Sequence, residues 1–192
     1  MHLVISLVGL PGAGKSTVGR QLARALRCPF VDVDAEIERQ VGTSIRRFFE
    51  VEGEAAFRDL EQVTLAGLIA RGDAVLATGG GAVLREQNRQ TLQERSVVVY
   101  LRSTPEEIFK RLRHDTQRPL LQVKDPLQKL RDLYEERDPL YRATARFIIE
   151  TGRPSVSALV KMVLMQLELA GVVDSSPRVT SPVERKPTPP SP

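Results

Sequence analysis

A short glycine-rich stretch near the start of the chain carries a lysine and a serine at the spacing of a phosphate-binding loop. Residues 9–16 read GLPGAGKS and match the pattern G-x-x-x-x-G-K-[ST] in full. Glycines let such a loop curl so that its N–H groups point inward at an anion. We expect Lys15 to reach the β- and γ-phosphates and the Ser16 hydroxyl to ligate Mg²⁺. The motif predicts binding of a nucleoside triphosphate with Mg²⁺, and by itself it does not specify the reaction.

Two carboxylates follow in the segment PFVDVD, which is predicted to be the second strand. Asp32 and Asp34 lie two residues apart at its end, so an extended backbone would place both side chains on one face. One carboxylate could hold a magnesium-bound water, and the other could accept a hydrogen bond from an attacking hydroxyl. The alternative is that Asp34 only caps the following helix and Asp32 is solvated.

Further candidate binding groups come from a glycine run and from two arginines. Gly79, Gly80 and Gly81 follow the predicted strand AVLAT and would allow a bound molecule to approach the backbone closely, although a flexible turn explains them too. Arg58 and Glu61 are spaced to pair on one helix, but most such pairs are surface ion pairs of little energetic weight. Arg137 could equally be a solvated helix residue.

The segment 114–125 is polar and is interrupted by proline between two predicted helices, which is typical of a mobile lid. Arg118 precedes a proline and is therefore biased toward extended backbone. An arginine on a lid can close over the γ-phosphate, and closure excludes water that would compete as acceptor. The alternative is an arginine on an ordinary surface loop.

Strand and helix patterns alternate along the chain up to about residue 170. Five apolar runs separated by helices predict a parallel sheet with right-handed crossovers, and ligands on such sheets bind beyond the carboxyl ends of the strands. The predicted fold class is α/β, a three-layer αβα sandwich of the P-loop type with a five-stranded parallel sheet. The predicted helices are Lys15–Leu26, Ser44–Ala70, Thr104–Arg113, Asp125–Ala143 and Ser155–Leu169, with a shorter one after Asp34.

The length of 192 residues suits one domain with a tail. We expect the domain to span residues 1–171, with substrate-binding helices at about 34–71 and the lid at about 114–125. Residues 172–192 are rich in proline and poor in large apolar side chains, so they cannot offset their ordering entropy. A passive disordered tail is the favoured interpretation, and an interaction tail is the alternative.

Composition excludes several classes of protein. A single cysteine, Cys28, and two histidines rule out an intramolecular disulfide and argue against a zinc site. The net charge of +4 comes from scattered basic residues, which fits an anionic ligand or simply a basic surface and argues against nucleic acid. The apolar run at residues 3–10 leads into the glycine loop, unlike a signal peptide, and no run is long enough to span a membrane. We expect a cytoplasmic protein, with monomer as the default.

Taken together, these motifs resemble those of shikimate kinases. The resemblance spans about residues 1–165 and rests on the phosphate loop and five further motifs: D-V-D, F-R-x-x-E, G-G-G, R-P-L-L and Y-x-x-R-x-P-x-Y. It implies transfer of the γ-phosphoryl group of ATP to the 3-hydroxyl of shikimate, with Mg²⁺ as cofactor and no nucleic acid or membrane partner.

The resemblance also implies roles for individual residues. Catalysis would involve Lys15, Asp34 and Arg118. Shikimate would be held by Asp34, Arg58, Arg137 and the triple glycine, with Glu61 orienting Arg58. Magnesium would be held by Ser16 and, through water, by Asp32. The nucleotide would contact Gly12, Ala13, Gly14, Lys15, Ser16, Thr17, Arg111, Arg118 and, on a looser motif match, Arg153.

Two alternatives remain at this point. Another small P-loop kinase, for gluconate or a nucleoside monophosphate, would share the phosphate loop, but the arginine pair and the glycine run favour an acceptor with a carboxylate and several hydroxyls. A non-catalytic nucleotide-binding regulator would have no need of Lys15, Asp34 and Arg118 together.

Overall fold

The computed structural model describes residues 2–113 and 123–173. The described elements, in chain order, are β1 Val4–Val8, α1 Lys15–Leu26, β2 Phe30–Asp32, α2 Val33–Val41, α3 Ile45–Ala70, β3 Ala74–Ala77, a 3₁₀ turn Ala82–Leu84, α4 Glu86–Arg95, β4 Val97–Arg102, α5 Pro105–Leu112, α6 Pro126–Thr144, β5 Phe147–Glu150 and α7 Val156–Leu169. The predicted helix boundaries are confirmed to within one residue for α1, α3, α5, α6 and α7.

The five strands form one parallel sheet in the order β2-β3-β1-β4-β5. Successive side chains of a strand point to opposite faces, and the central strands are buried on both. On one face Ile5, Leu7 and Val99 pack against α1 and α7. On the other face Val8 and Tyr100 belong to a cluster with α2 to α6. The predicted three-layer α/β fold is thereby confirmed.

The sheet brings the carboxyl ends of β1, β2 and β3 to one edge. β1 pairs with β3 in parallel, and β3 pairs with β2, so the segments that follow these strands are neighbours. These segments carry the glycine-rich loop, the Asp32/Asp34 pair and the triple glycine. Topology alone therefore gathers three of the motifs that are separated in sequence.

The prediction that Asp34 lies at the end of the second strand is wrong. β2 ends at Asp32, and α2 begins at Val33, so Asp34 lies in the first turn of the helix. The Asp32 side chain caps this helix by accepting a hydrogen bond from the backbone N–H of Ala35 at 3.4 Å. The alternative with Asp34 as the cap is also wrong, because Asp32 has that place.

Helix α3 is interrupted at Gly53, whose φ of 82° and ψ of 172° lie outside the helical region. Helix α4 did not emerge from the sequence pattern, because only Asn88 and Leu92 of its ten residues are buried.

At the end of the described chain, Val172 and Val173 pack against the α7 side of the sheet. Among the described residues, no helix is long and apolar enough to cross a membrane.

Candidate active site

The glycine-rich loop joins the end of β1 to the start of α1. Gly9, Gly12 and Gly14 have φ values of 147°, 84° and 93°, which residues with a Cβ rarely adopt. The Lys15 ammonium lies back across the loop and donates to the carbonyls of Gly9 at 2.8 Å and Leu10 at 3.0 Å. The positive end of the α1 dipole adds to this lysine, so the loop is suited to an anion with several charged oxygens.

Helix α5 packs directly on the loop. A methyl group at Gly12 would meet the Leu112 side chain at 2.6 Å. The Arg111 guanidinium donates to the Gly12 carbonyl at 2.8 Å, so this arginine lies beside the loop, as the prediction of a nucleotide contact requires. Among the other predicted nucleotide contacts, Thr17 and Arg153 are exposed, Arg153 in the segment between β5 and α7. Arg118 lies outside the described residues.

Ser16 in the first turn of α1 and Asp32 at the end of β2 bring two side chains with possible oxygen ligands together. The Ser16 hydroxyl donates to a carboxylate oxygen of Asp32 at 2.6 Å. Mg²⁺ prefers oxygen ligands, keeps several waters, and is commonly held by one or two protein groups together with substrate phosphates. Within residues 2–113 and 123–173 no cluster of three or more acidic, histidine or cysteine side chains could hold a metal by itself. The donor set therefore fits a magnesium ion that is shared with a nucleotide.

The Asp34 carboxylate lies between the phosphate loop and the triple glycine. Burial raises its pKa to about 6, with smaller contributions in the same direction from the charges of Asp32, Glu61 and Glu38, and the charge of Lys15 opposes the shift. A carboxylate with such a pKa is ionised at neutral pH and accepts a proton more readily than an ordinary aspartate. Its place and its pKa suit a group that faces a hydroxyl near the γ-phosphate position.

Replacing Asp34 by asparagine is expected to stabilise the folded protein. The folded state binds the Asp34 proton more tightly than the unfolded chain does. The ionised carboxylate therefore destabilises the fold increasingly as pH rises from about 4 to about 6, and this destabilisation reaches its full size above pH 6. We expect Asp34→Asn to raise Tm by a few degrees at pH 7.5 and to lose the advantage near pH 4. Asp132→Asn on the exposed face of α6 is the matched control. A Tm gain that is equal at both pH values would contradict this explanation.

The triple glycine is required by close packing and not by unusual φ angles, because none of the three has a positive φ. A methyl group at Gly79 would lie 2.7 Å from an Asp34 oxygen and 2.8 Å from a Glu61 oxygen, and one at Gly80 would lie 2.7 Å from Pro11. A methyl group at Gly81 would overlap the guanidinium of Arg58. The turn is therefore a packed wall of the site, and the alternative of a flexible turn is wrong.

Arg58 and Glu61 form an ion pair beneath this wall. The guanidinium Nη1 donates to Glu61 Oε2 at 2.7 Å, and the Glu61 side chain is only 1% exposed. Burial raises the pKa of Glu61, against the opposing charges of Arg58, Arg137 and Arg85. The alternative of a solvated surface pair is wrong, because Glu61 is enclosed in the protein.

Arg137 projects from α6 toward the same place. Its side chain is 13% exposed, and its charge acts on both Glu61 and Tyr141. The alternative of a solvated helix residue is therefore wrong. Arg58 contacts Glu61 directly, and Arg137 is near enough for its charge to act on Glu61, so the two guanidinium groups lie on the same side of the molecule. The structure thus brings together Asp34, both arginines and the triple glycine beside the phosphate loop.

Two residues that the sequence did not single out help to shape the site. The Tyr141 hydroxyl donates to the Gly80 carbonyl at 2.5 Å and so ties α6 to the glycine wall. Glu54 accepts from Arg58 Nη2 at 3.2 Å. Tyr141 ends the Y-x-x-R-x-P-x-Y motif and is one helical turn beyond Arg137, a spacing that could have signalled its position.

The arrangement offers an anion-binding loop, a pair of oxygen donors for a cation, a carboxylate with a raised pKa and two arginines. Two arginines can bind a planar carboxylate with charge-assisted, oriented hydrogen bonds. The site can therefore hold a polyphosphate on one side and a small acid with hydroxyl groups on the other.

The chain is similar in sequence and in structure to known proteins. A family model described as shikimate kinase matches residues 11–168. A shikimate kinase of Burkholderia pseudomallei is 59% identical over 172 residues, which cover 90% of this chain and 94% of the relative. A shikimate kinase of Paracidovorax citrulli is 57% identical over 179 residues, covering 92% and 98%. The solved structure of shikimate kinase from Acinetobacter baumannii in complex with shikimate has a TM-score of 0.83 and 48% identity, covering 89% of this chain and 95% of that one. The chain belongs to the shikimate kinase family.

Proposed function

We propose that this protein transfers the γ-phosphoryl group of ATP to the 3-hydroxyl of shikimate, giving shikimate 3-phosphate and ADP. The observation that carries the proposal is the convergence of Asp34, Arg58, Arg137 and the triple glycine beside a complete phosphate loop, in a chain of this family. The related enzyme of Acinetobacter baumannii was solved with shikimate bound. Shikimate is a small acid with three hydroxyls, which suits such a pocket.

The nucleotide side of the site binds and orients the triphosphate. The loop N–H groups and Lys15 hold the β- and γ-phosphates, and Arg111 lies on the adenine side. Ser16 directly, and Asp32 through water, would hold Mg²⁺, which neutralises phosphate charge when bound. In addition, we assign Arg118 to a lid at residues 114–125 that covers the phosphates and keeps water out.

The acceptor side positions the reacting hydroxyl. Arg58 and Arg137 bind the carboxylate of shikimate, Glu61 orients Arg58, and the glycine wall lets the ring hydroxyls approach the backbone. Asp34 accepts a hydrogen bond from the 3-hydroxyl, whose oxygen forms the new bond to the γ-phosphorus as the bond to the β–γ bridging oxygen breaks. The proton of the hydroxyl passes to Asp34 and then to solvent. Because the transition state is loose, most of the catalysis comes from positioning and charge neutralisation.

An ADP-release assay with a panel of acceptors tests the proposal. With ATP and Mg²⁺, shikimate should give turnover, and gluconate and nucleoside monophosphates should give none above background. Turnover with gluconate or a nucleoside monophosphate alone would assign the chain to another kinase reaction. Binding of ATP without turnover on any acceptor would point to a nucleotide-binding regulator. We also propose that the protein is monomeric and cytoplasmic. Light scattering of the purified protein would test its oligomeric state.

A further inference from the structure

The guanidinium of Arg58 faces two carboxylates with very different surroundings. Its Nη1 donates to Glu61 Oε2 at 2.7 Å, and its Nη2 donates to Glu54 Oε1 at 3.2 Å. The Glu61 side chain is 1% exposed, whereas that of Glu54 is 65% exposed. Glu61 is therefore fixed inside the protein, and Glu54 reaches the guanidinium of Arg58 from the surface.

Glu61 has no room to leave the pair. Its second oxygen, Oε1, is buried and would lie 2.8 Å from a methyl group at Gly79, against the glycine wall. Glu54, in contrast, directly follows Gly53, where α3 departs from helical geometry with a φ of 82°. A side chain on the solvent side of such a break can turn into water at little cost, since exposed ion pairs contribute only about 0.2–1 kcal/mol.

A third carboxylate at Arg58 would create a strong imbalance of charge. Arg58 and Arg137 would then face Glu54, Glu61 and the incoming acid, with Asp34 close to Glu61 across Gly79. Like charges at such distances repel, and the repulsion is largest where water is excluded. Of the two carboxylates already present, only Glu54 can move away.

We propose that Glu54 is a placeholder for the carboxylate of the acceptor: it neutralises the outer edge of Arg58 before the acceptor binds and is displaced by it. This inference rests on the proposed function, because it assumes an acceptor with a carboxylate at Arg58. Glu54 holds the guanidinium of Arg58 at the end of the glycine wall, and its displacement lowers the apparent affinity for the acceptor. Glu54 thus sets the affinity for the charged acceptor without touching the reacting atoms.

The test compares Glu54→Gln with wild type, using shikimate and its methyl ester as acceptors. The variant keeps the size of the side chain and removes its charge. We expect the KM for shikimate to fall about 2–5-fold, the range that corresponds to an exposed ion pair. The KM for the neutral ester should change much less, because the ester does not compete by charge. Calorimetric titration with shikimate, without nucleotide, should give the same ratio of affinities.

Glu50→Gln is the matched control, because Glu50 is an exposed carboxylate of the same helix that pairs with Arg46 and Arg47 and not with Arg58. It should leave both KM values as in wild type, and Tm values check that all variants fold. A rise in the KM for shikimate in Glu54→Gln would overturn the proposal and make Glu54 a support for Arg58. Equal shifts for both acceptors would overturn it as well. Failure of the proposed function would be recognised separately, as an absence of turnover of shikimate by the wild-type protein.

Discussion

Replacing Lys15 by alanine is expected to lower kcat by about 100–1,000-fold, the usual loss when a preorganised charge at a reacting centre is removed. Lys15 supplies the positive charge of the glycine-rich loop, and its ammonium bridges the carbonyls of Gly9 and Leu10. Charge develops on the oxygens between the β- and γ-phosphates as the phosphoryl group leaves, so this lysine stabilises the transition state more than the bound nucleotide. Steady-state kinetics with saturating ATP and shikimate would measure the loss.

The control for this experiment is Lys161→Ala, which removes an exposed lysine from α7, a helix that carries none of the predicted site residues. It should retain wild-type kinetics. The Lys15 variant should keep a cooperative thermal transition, because the hydrogen bonds to the Gly9 and Leu10 carbonyls are worth only about 0.5–1.5 kcal/mol each. A folded Lys15→Ala protein with undiminished kcat would refute the assigned phosphate contact.

The second large effect is expected for Arg58→Ala, which should raise the KM for shikimate by about 10–150-fold. The range follows from losing one charged hydrogen-bonding group worth about 1.5–3 kcal/mol. The KM for ATP should change little, because Arg58 lies against Gly81 and Glu61 and not against the phosphate loop. Measuring both KM values in the same preparation distinguishes a carboxylate contact from general damage to the site.

This substitution also has a cost in stability. It leaves the Glu61 carboxylate buried without its ion-pair partner, and such a loss typically costs about 3–5 kcal/mol. The double variant Arg58→Ala/Glu61→Gln removes the uncompensated charge, so it should recover much of the Tm and keep the high KM for shikimate. Arg39→Ala, which breaks a surface pair with Glu36, is the control for loss of an arginine. Equal increases in both KM values would count against the carboxylate contact.

Local sequence was sufficient for the phosphate loop and for most of the helices. The loop depends on backbone angles that its own glycines allow, and Thr104, Ser155 and Ser44 cap their helices from neighbouring positions. These features depend on residues within a few positions of one another, so the pattern of residue types predicts them. The position of Asp34 was predicted wrongly for a related reason. β2 is a three-residue edge strand, and the capping preference of Asp32 ends it before its period-2 pattern can continue.

The sequence by itself determined the fold class, the order of the strands and of the described helices other than α4, and the loop that faces an anion, because hydrophobic periodicity, glycine and capping act over short distances. Only the tertiary structure decided that the Glu61 carboxylate is buried and that Arg58 and Arg137 both lie near it. It also decided that the Tyr141 hydroxyl donates to the Gly80 carbonyl, 61 positions away in the sequence. Burial, a raised pKa and a clash at a missing Cβ are properties of several chain segments packed together. No single segment carries that information, because each contact depends on how the sheet aligns segments that are distant in sequence.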